Sequence, residues 1–253
     1  QAIMDYLKLL SSRSKKVLQD ADAVKLPNVA RQANKILVGT FMGVPDDVCN
    51  DRWNDLYNIY KEYGVWLAVS SSMYSNPSNG YVFEDANDNE VYDEGDEPYY
   101  KKVNQVLIKL WRRGGLVSLV SPLRNPWTLG DKKDRSGYVY EGQEGSEENS
   151  FADIYTPGRA ANTVFLQDLD VMIAGFQELQ DAGVVTIFRL FHEATGQWFW
   201  WGMGEKDEDD GTKSPGPTPE QYKELWRYVH GYVASKGIKN VIWNWSISGS
   251  HAD

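Results

Sequence analysis

An alternation constrains this chain more than any other feature. Short apolar runs at 36–42 (ILVGTFM), 65–70 (VWLAVS), 116–120 (LVSLV), 184–190 (VVTIFRL) and 240–246 (NVIWNWS) are separated by segments with helical spacing. Runs of this length, buried on both faces, read as strands of a parallel sheet. Between them, 52–63 places Trp53, Leu56, Tyr57 and Tyr60 on one helical face. Residues 101–112 turn Val103, Val106, Leu107, Leu110 and Trp111 inward. A long amphipathic helix is predicted over 163–181, ended by Gly183, and another over 219–236 with Pro219 near its start. A first helical stretch, 2–10, precedes them all. Strand and helix in repeated succession are the signature of the α/β class with crossover helices. Five such steps in one run favour a (β/α)8 TIM barrel of which about the first five units are present. A doubly wound sheet is the structural alternative, although no GxGxxG or P-loop sequence supports its nucleotide-binding form. The length, 253 residues, fits a single domain over 1–253.

Three long polar insertions, 71–98, 121–150 and 202–218, each follow the end of an apolar run. In a barrel those positions build the active-site face. Composition then narrows the ligand. The net charge of −10 lacks the basic face that nucleic acid or an anionic membrane requires. No apolar run reaches the length of a membrane span. A single cysteine, Cys49, excludes an internal disulfide and a cysteine-based zinc site. Ten tryptophans and 15 tyrosines supply flat apolar faces of the kind that suit sugar rings, and tryptophan also fills cores. The chain begins at Gln1, consistent either with a removed signal peptide or with a fragment.

The segment FRLFHEATGQWFWWG (188–202) carries the chemistry. It sets His192 and Glu193 just past the fourth strand, followed by aromatic residues at 198–201. A carboxyl group beside a histidine and under apolar rings tends to keep its proton, and it can then protonate a leaving oxygen. Aromatic walls beside it suit a pyranose ring, so the chemistry suggested is glycoside hydrolysis. The alternative is a structural His-Glu pair with core tryptophans. A charged dipeptide at the top of a barrel strand favours catalysis.

These residues resemble glycoside hydrolase family 26, mostly β-mannanases, whose members read close to FRP-x-HE-x-x-G-x-WFWWG. LDVMIAGFQELQDAG (169–183), TPEQYKELWRYV (218–229) and NVIWNWS (240–246) resemble the family's neighbouring helices and strand. NQVLIKLWRRGGLVSLVSPLRNPW (104–127) resembles its third unit. The resemblance runs from about residue 36 to the end. It implies a (β/α) barrel and a secreted, retaining, endo-acting enzyme on β-mannan, with no cofactor. It implies Glu193 as general acid/base, His192 lining the cleavage point and Trp198 as a sugar platform. Arg189 becomes a support at the strand end. Trp127 offers a stacking face. Trp200 and Trp201 are platform or packing, with Trp201 counted among the substrate contacts. β-1,3-Xylan and mixed-linkage glucan are the alternative substrates.

Two departures accompany the resemblance. The family's third unit reads SWH-x-x-NP, and here Pro122 stands where its histidine is expected. The family's nucleophile is a glutamate ending strand seven, whereas five strands are read here, so the nucleophile is expected outside this chain. Five strands also leave two open edges. The expectation is a truncated sequence, a further chain that completes the barrel, or neighbouring subunits that cover it. The rival reading is a carbohydrate-binding or structural barrel without catalysis.

Asp85, Asn87, Asn89, Asp93 and Asp96 fall at calcium-loop spacing, with Glu90 in place of the turn glycine. The alternative there is a solvated acidic loop. The acidic run 205–210 also reads as a solvated loop, which suits a neutral glycan.

Overall fold

The computed structural model describes residues 39–42, 48–64, 66–76, 80–127, 150–204, 206–207, 213–214 and 216–247, together with Met4. A five-stranded sheet forms from β1 (Gly39–Phe41), β2 (Val69–Met73), β3 (Leu116–Val120), β4 (Thr186–Arg189) and β5 (Val241–Trp243). Every neighbouring pair is parallel, with Thr40, Ser70, Val117, Thr186 and Val241 in one row. Spatial order follows chain order without reversal. That is the order of a barrel, since a doubly wound sheet reverses at its switch point.

Four helices cross between the strands: α1 (Val48–Tyr63), α2 (Tyr100–Arg112), α3 (Ala160–Asp181) and α4 (Pro219–Ser235). The sheet's two faces differ. In β4, Thr186 and Phe188 are buried while Ile187 and Arg189 are half-buried. Phe188 meets Phe176 of α3 with ring centroids 5.1 Å apart, so the fully buried face is the one under the helices. The expected α2 stripe of Val103, Val106, Leu107 and Leu110 is buried, and Trp111 packs half-buried beside it.

Two expectations shift. The run 65–70 was read as a strand, but β2 begins at Val69 and continues through Ser70–Ser72. Trp66 instead stacks on Tyr60 of α1, with centroids 4.6 Å apart. Serines complete the strand because ladder bonds to β1 and β3 ask nothing of side-chain polarity. Tyr57 and Tyr60, expected to face the core with Leu56, are exposed, while Leu56 is buried. The helical stretch 2–10 lies outside the described residues except for Met4, as do residues 36–38 and the side chains of Trp53 and Cys49.

The start of α4 matters for the site. Thr218 caps it by accepting from the Gln221 N–H, and the Gln221 side chain accepts from the Thr218 N–H in return. Such a box stabilises a helix start by about 1 kcal/mol. Pro219 occupies the first turn, where no N–H is needed. This fixes Tyr222 early in the helix, buried against the end of β4. Among the described residues, no helix is long and apolar enough to cross a membrane.

Candidate active site

Beyond Arg189 the backbone leaves β4 through an unusual path. Phe191 has φ +48° and Glu193 has φ +58°, both in the left-handed region. Each such non-glycine residue costs about 1–3 kcal/mol and persists only where its surroundings hold it. Here they do. The buried Phe191 ring packs against Phe165, Trp200, Trp201 and Tyr222. Its carbonyl accepts from the Tyr222 hydroxyl at 2.9 Å. The His192 carbonyl accepts from the Trp201 indole N–H at 2.9 Å. The Glu193 carbonyl accepts from the Gly196 N–H, and the Ala194 carbonyl from the Met203 N–H. Arg189, half-buried at the end of β4, donates to the Ser246 hydroxyl at 2.8 Å and so ties this strand end to the segment after β5.

The aromatic run divides by burial. Phe199, Trp200 and Trp201 are buried, and Trp198 is 44% exposed. Trp201 lies parallel to Phe199, centroids 4.4 Å apart. Trp200 donates to the Leu123 carbonyl and joins this loop to the segment after β3. Trp201 was expected to touch substrate. A ring with no exposed face cannot stack a sugar, so its role is to hold the backbone of His192. Trp127 is half-buried, edge-on to Trp200 at 5.7 Å and packed on Phe151. It reaches the site through Trp200. Pro122 is buried in the same segment.

Trp198 alone of the run faces outward, and its indole N–H donates to Glu193 Oε2 at 2.7 Å. That bond fixes a half-buried carboxylate directly beside a half-exposed aromatic face. The approach needs Gly196, because a Cβ there would lie 2.6 Å from the Trp198 ring. His192 is half-buried, its ring 4.6 Å from that of Phe199. Burial is the main cause that presses its pKa down to about 4; Glu193 pulls it up and Arg189 pushes it further down. The imidazole is therefore neutral at neutral pH. Its Nδ1 is buried without a hydrogen-bond partner among the described residues. The site thus offers one carboxyl group, a neutral imidazole and an aromatic platform, a set suited to proton transfer at a sugar's glycosidic oxygen.

The sequence reading missed Arg124 and Asp168. Arg124 donates to both Asp168 oxygens, at 2.8 and 2.9 Å, and both side chains are buried. Burial pushes Asp168 up to about 6 against the pull of Arg124. A third guanidinium nitrogen donates to the Glu90 carbonyl at 3.0 Å. A signal was present: Asp168 sits among Val164, Phe165, Leu169 and Met172, on the stripe that α3 buries.

Asp85, Asn87, Asn89, Asp93 and Asp96 come together between the short paired strands Phe83–Glu84 and Glu97–Pro98. Their oxygens accept from the loop itself. Asp85 takes the N–H groups of Asn89 and Glu90, and Asp96 takes those of Ala86 and Asp93. Asn87 and Asn89 turn amide nitrogens, not oxygens, toward Asp93. Among the described residues, no group of three or more His, Cys, Asp or Glu forms a metal cage. Of the acidic run 205–210, only Lys206–Asp207 is described, paired with Lys213–Ser214.

The sequence profile of glycosyl hydrolase family 26 matches residues 29–253. A mannan endo-1,4-β-mannosidase of Bacillus subtilis is 27% identical over 87% of this chain and 53% of its own length. The mannan endo-1,4-β-mannosidase A and B of Caldalkalibacillus mannanilyticus is 32% identical over 56% of this chain and 26% of its own. The chain thus spans about half the length of the first relative and about a quarter of the second. Among solved structures, Bacillus subtilis mannanase man26 superposes with a TM-score of 0.62 at 23% identity, over 85% of this chain and 57% of that one. A β-mannanase from a symbiotic protist of the termite Reticulitermes speratus, complexed with gluco-manno-oligosaccharide, gives a TM-score of 0.57 at 24% identity, over 83% and 56%. At these identities the two structures speak for the barrel fold.

Proposed function

The chain belongs to glycosyl hydrolase family 26, and from that premise we propose that it is the larger part of the catalytic barrel of an endo-acting β-1,4-mannanase. Glu193 is its general acid/base. The observation that carries this reading is the Trp198–Glu193 hydrogen bond at 2.7 Å, which sets a positioned carboxylate beside an open aromatic face. Relatives named mannan endo-1,4-β-mannosidase support the substrate class. Neutral His192 lines the cleavage point, and Trp198 carries a sugar ring. A polymeric substrate too large to cross a membrane supports the reading of the protein as extracellular and secreted.

A retaining mechanism needs a second carboxylate about 5–5.5 Å from the first. Among the described residues within four positions after the five strand ends (42, 74–76, 121–124, 190–193 and 244–247), Glu193 supplies the sole carboxylate. We assign the nucleophile to a residue outside this chain's described sheet. The test is release of manno-oligosaccharides from soluble mannan by the natural polypeptide. Glu193→Gln lowers the rate roughly 10²–10⁴-fold. Release that survives this substitution unchanged sinks the assignment.

Pro122 motivates a second reading, a barrel that binds glycan without cleaving it. Mannan binding with no release by the natural polypeptide would select it.

A further inference from the structure

A second concave surface lies on the outer side of α3, with no residue from the 189–204 segment in its lining. It is an open groove of about 540 Å³, within the range of small-ligand sites. Its floor is Leu166, Gln167 and Asp170 of α3, and its walls are Tyr92, Tyr100 and Tyr232. Tyr232 lies ten residues beyond Tyr222 in α4, or about 15 Å along that helix from the contact with Phe191.

Three observations define what the groove would hold. The Gln167 amide nitrogen is shielded from solvent and has no hydrogen-bond partner among the described residues. A donor so placed costs about 1–3 kcal/mol, which a turn of the Gln167 side chain toward an acceptor in the groove would relieve. Asp170 receives the Tyr232 hydroxyl at 2.8 Å and the Lys236 ammonium at 2.9 Å, both on Oδ1. The Asp170 side chain is 49% exposed, so its carboxylate stays open to a ligand's donor. Tyr92 is 37% exposed and braced by the Phe83 ring at 5.3 Å, so its ring is held while it stays open to a ligand. An amide donor, a carboxylate acceptor and a fixed aromatic ring around one groove match a hydroxylated ring with an apolar C–H face. The carboxylate and the net charge of −10 disfavour an acidic sugar.

We propose that this groove is a second carbohydrate site, which holds one or two neutral pyranose units of a polysaccharide chain apart from the Glu193 cleft. The proposal rests on the reading of the protein as one that acts on β-mannan. Holding a distant stretch of polymer raises the effective concentration of the remainder at the cleft without any new contact there.

The test uses the whole natural polypeptide carrying Glu193→Gln and Trp198→Ala, which disable the cleft. Its depletion onto insoluble β-mannan is measured, alongside a calorimetric titration with mannopentaose. Binding is expected to persist in this form. It should weaken at least tenfold when Gln167→Ala and Tyr92→Ala are added, and return with Tyr92→Phe, which keeps the ring. Equal thermal melts of these forms exclude unfolding as the cause. The groove is overturned if the cleft-disabled form does not bind, or if it binds equally well with both groove substitutions. Hydrolysis of soluble mannotetraose by the otherwise unsubstituted protein is read separately. Binding lost with hydrolysis intact sinks the groove alone, and groove-dependent binding with no hydrolysis sinks the enzyme reading alone.

Discussion

Two loops of this molecule depart from ordinary backbone in the same way. Each holds two non-glycine residues at positive φ: Phe191 and Glu193 after β4, and Asp88 and Glu90 between the paired strands at 83–84 and 97–98. What holds them differs. The first is clamped from beneath by Phe191, Trp200, Trp201 and Tyr222, all fully or almost fully buried. The second is closed by its own polar atoms, chiefly Asp85 and Asp96, which accept from backbone N–H groups of the same exposed loop. Asp and Asn side chains form such local turns readily, and remote support comes from the Arg124 guanidinium on the Glu90 carbonyl. Phe191 and Glu193 have no such ring of Asp and Asn side chains around them and rest on the buried aromatic rings instead. Strain that only the core can sustain is strain that places a side chain, and in the first loop that side chain is Glu193.

Substitutions sharpen this contrast. Trp200→Ala removes the buried ring under the first loop and the bond to the Leu123 carbonyl. A loss of about 3–5 kcal/mol is expected by chemical denaturation. Activity should fall with it at temperatures where the protein is still folded. Asp168→Ala leaves Arg124 buried without its carboxylate, at a comparable or slightly smaller cost of about 3–5 kcal/mol. Because Arg124 also holds the Glu90 carbonyl, amide exchange in the second loop should accelerate. Unchanged exchange there would show that the loop closes without help from Arg124.

Acidification acts on the first loop through His192. The folded pKa of His192, about 4, lies below the unfolded value of about 6.5. The unfolded chain therefore takes up the proton first. This contribution to stability is complete above about pH 6.5 and is lost as the pH falls toward 4. His192→Gln should remove that part of the pH dependence, measured by denaturation across the same window. The smallest effect belongs to the second loop. Asp85→Ala deletes two hydrogen bonds, one exposed and one half-buried, and should cost about 1 kcal/mol. A loop closed by its own hydrogen bonds should also melt identically with and without a calcium chelator. A chelator-dependent melting temperature would reverse the comparison and make the loop an ion site.

Much of the barrel was legible because its signals are local. The apolar runs of β3, β4 and β5 and the stripes of α2, α3 and α4 each lie within a few turns of chain. β2 was placed too early because its apolar residues, Trp66 and Leu67, precede the strand, while serines form it. At the candidate site, Glu193 and His192 stand out by their position after a strand and by family resemblance. The separation of Trp198 from Trp200 and Trp201 does not, since three tryptophans in four residues look alike until burial separates them. Arg124 and Asp168 lie 44 residues apart, and their pairing follows from the packing of α3, which no local pattern encodes.

One contact in the first loop bears on how such a protein changes over generations. A Cβ on Gly202 would lie 2.2 Å from the Gly196 carbonyl oxygen, and the Gly204 N–H is bonded to that same oxygen. The segment closes on itself so tightly that a side chain at Gly202 cannot be absorbed without a backbone shift. It should therefore tolerate change as a unit rather than residue by residue. Variation is easier to accommodate in loops outside this segment, where neither Glu193 nor Trp198 has to move.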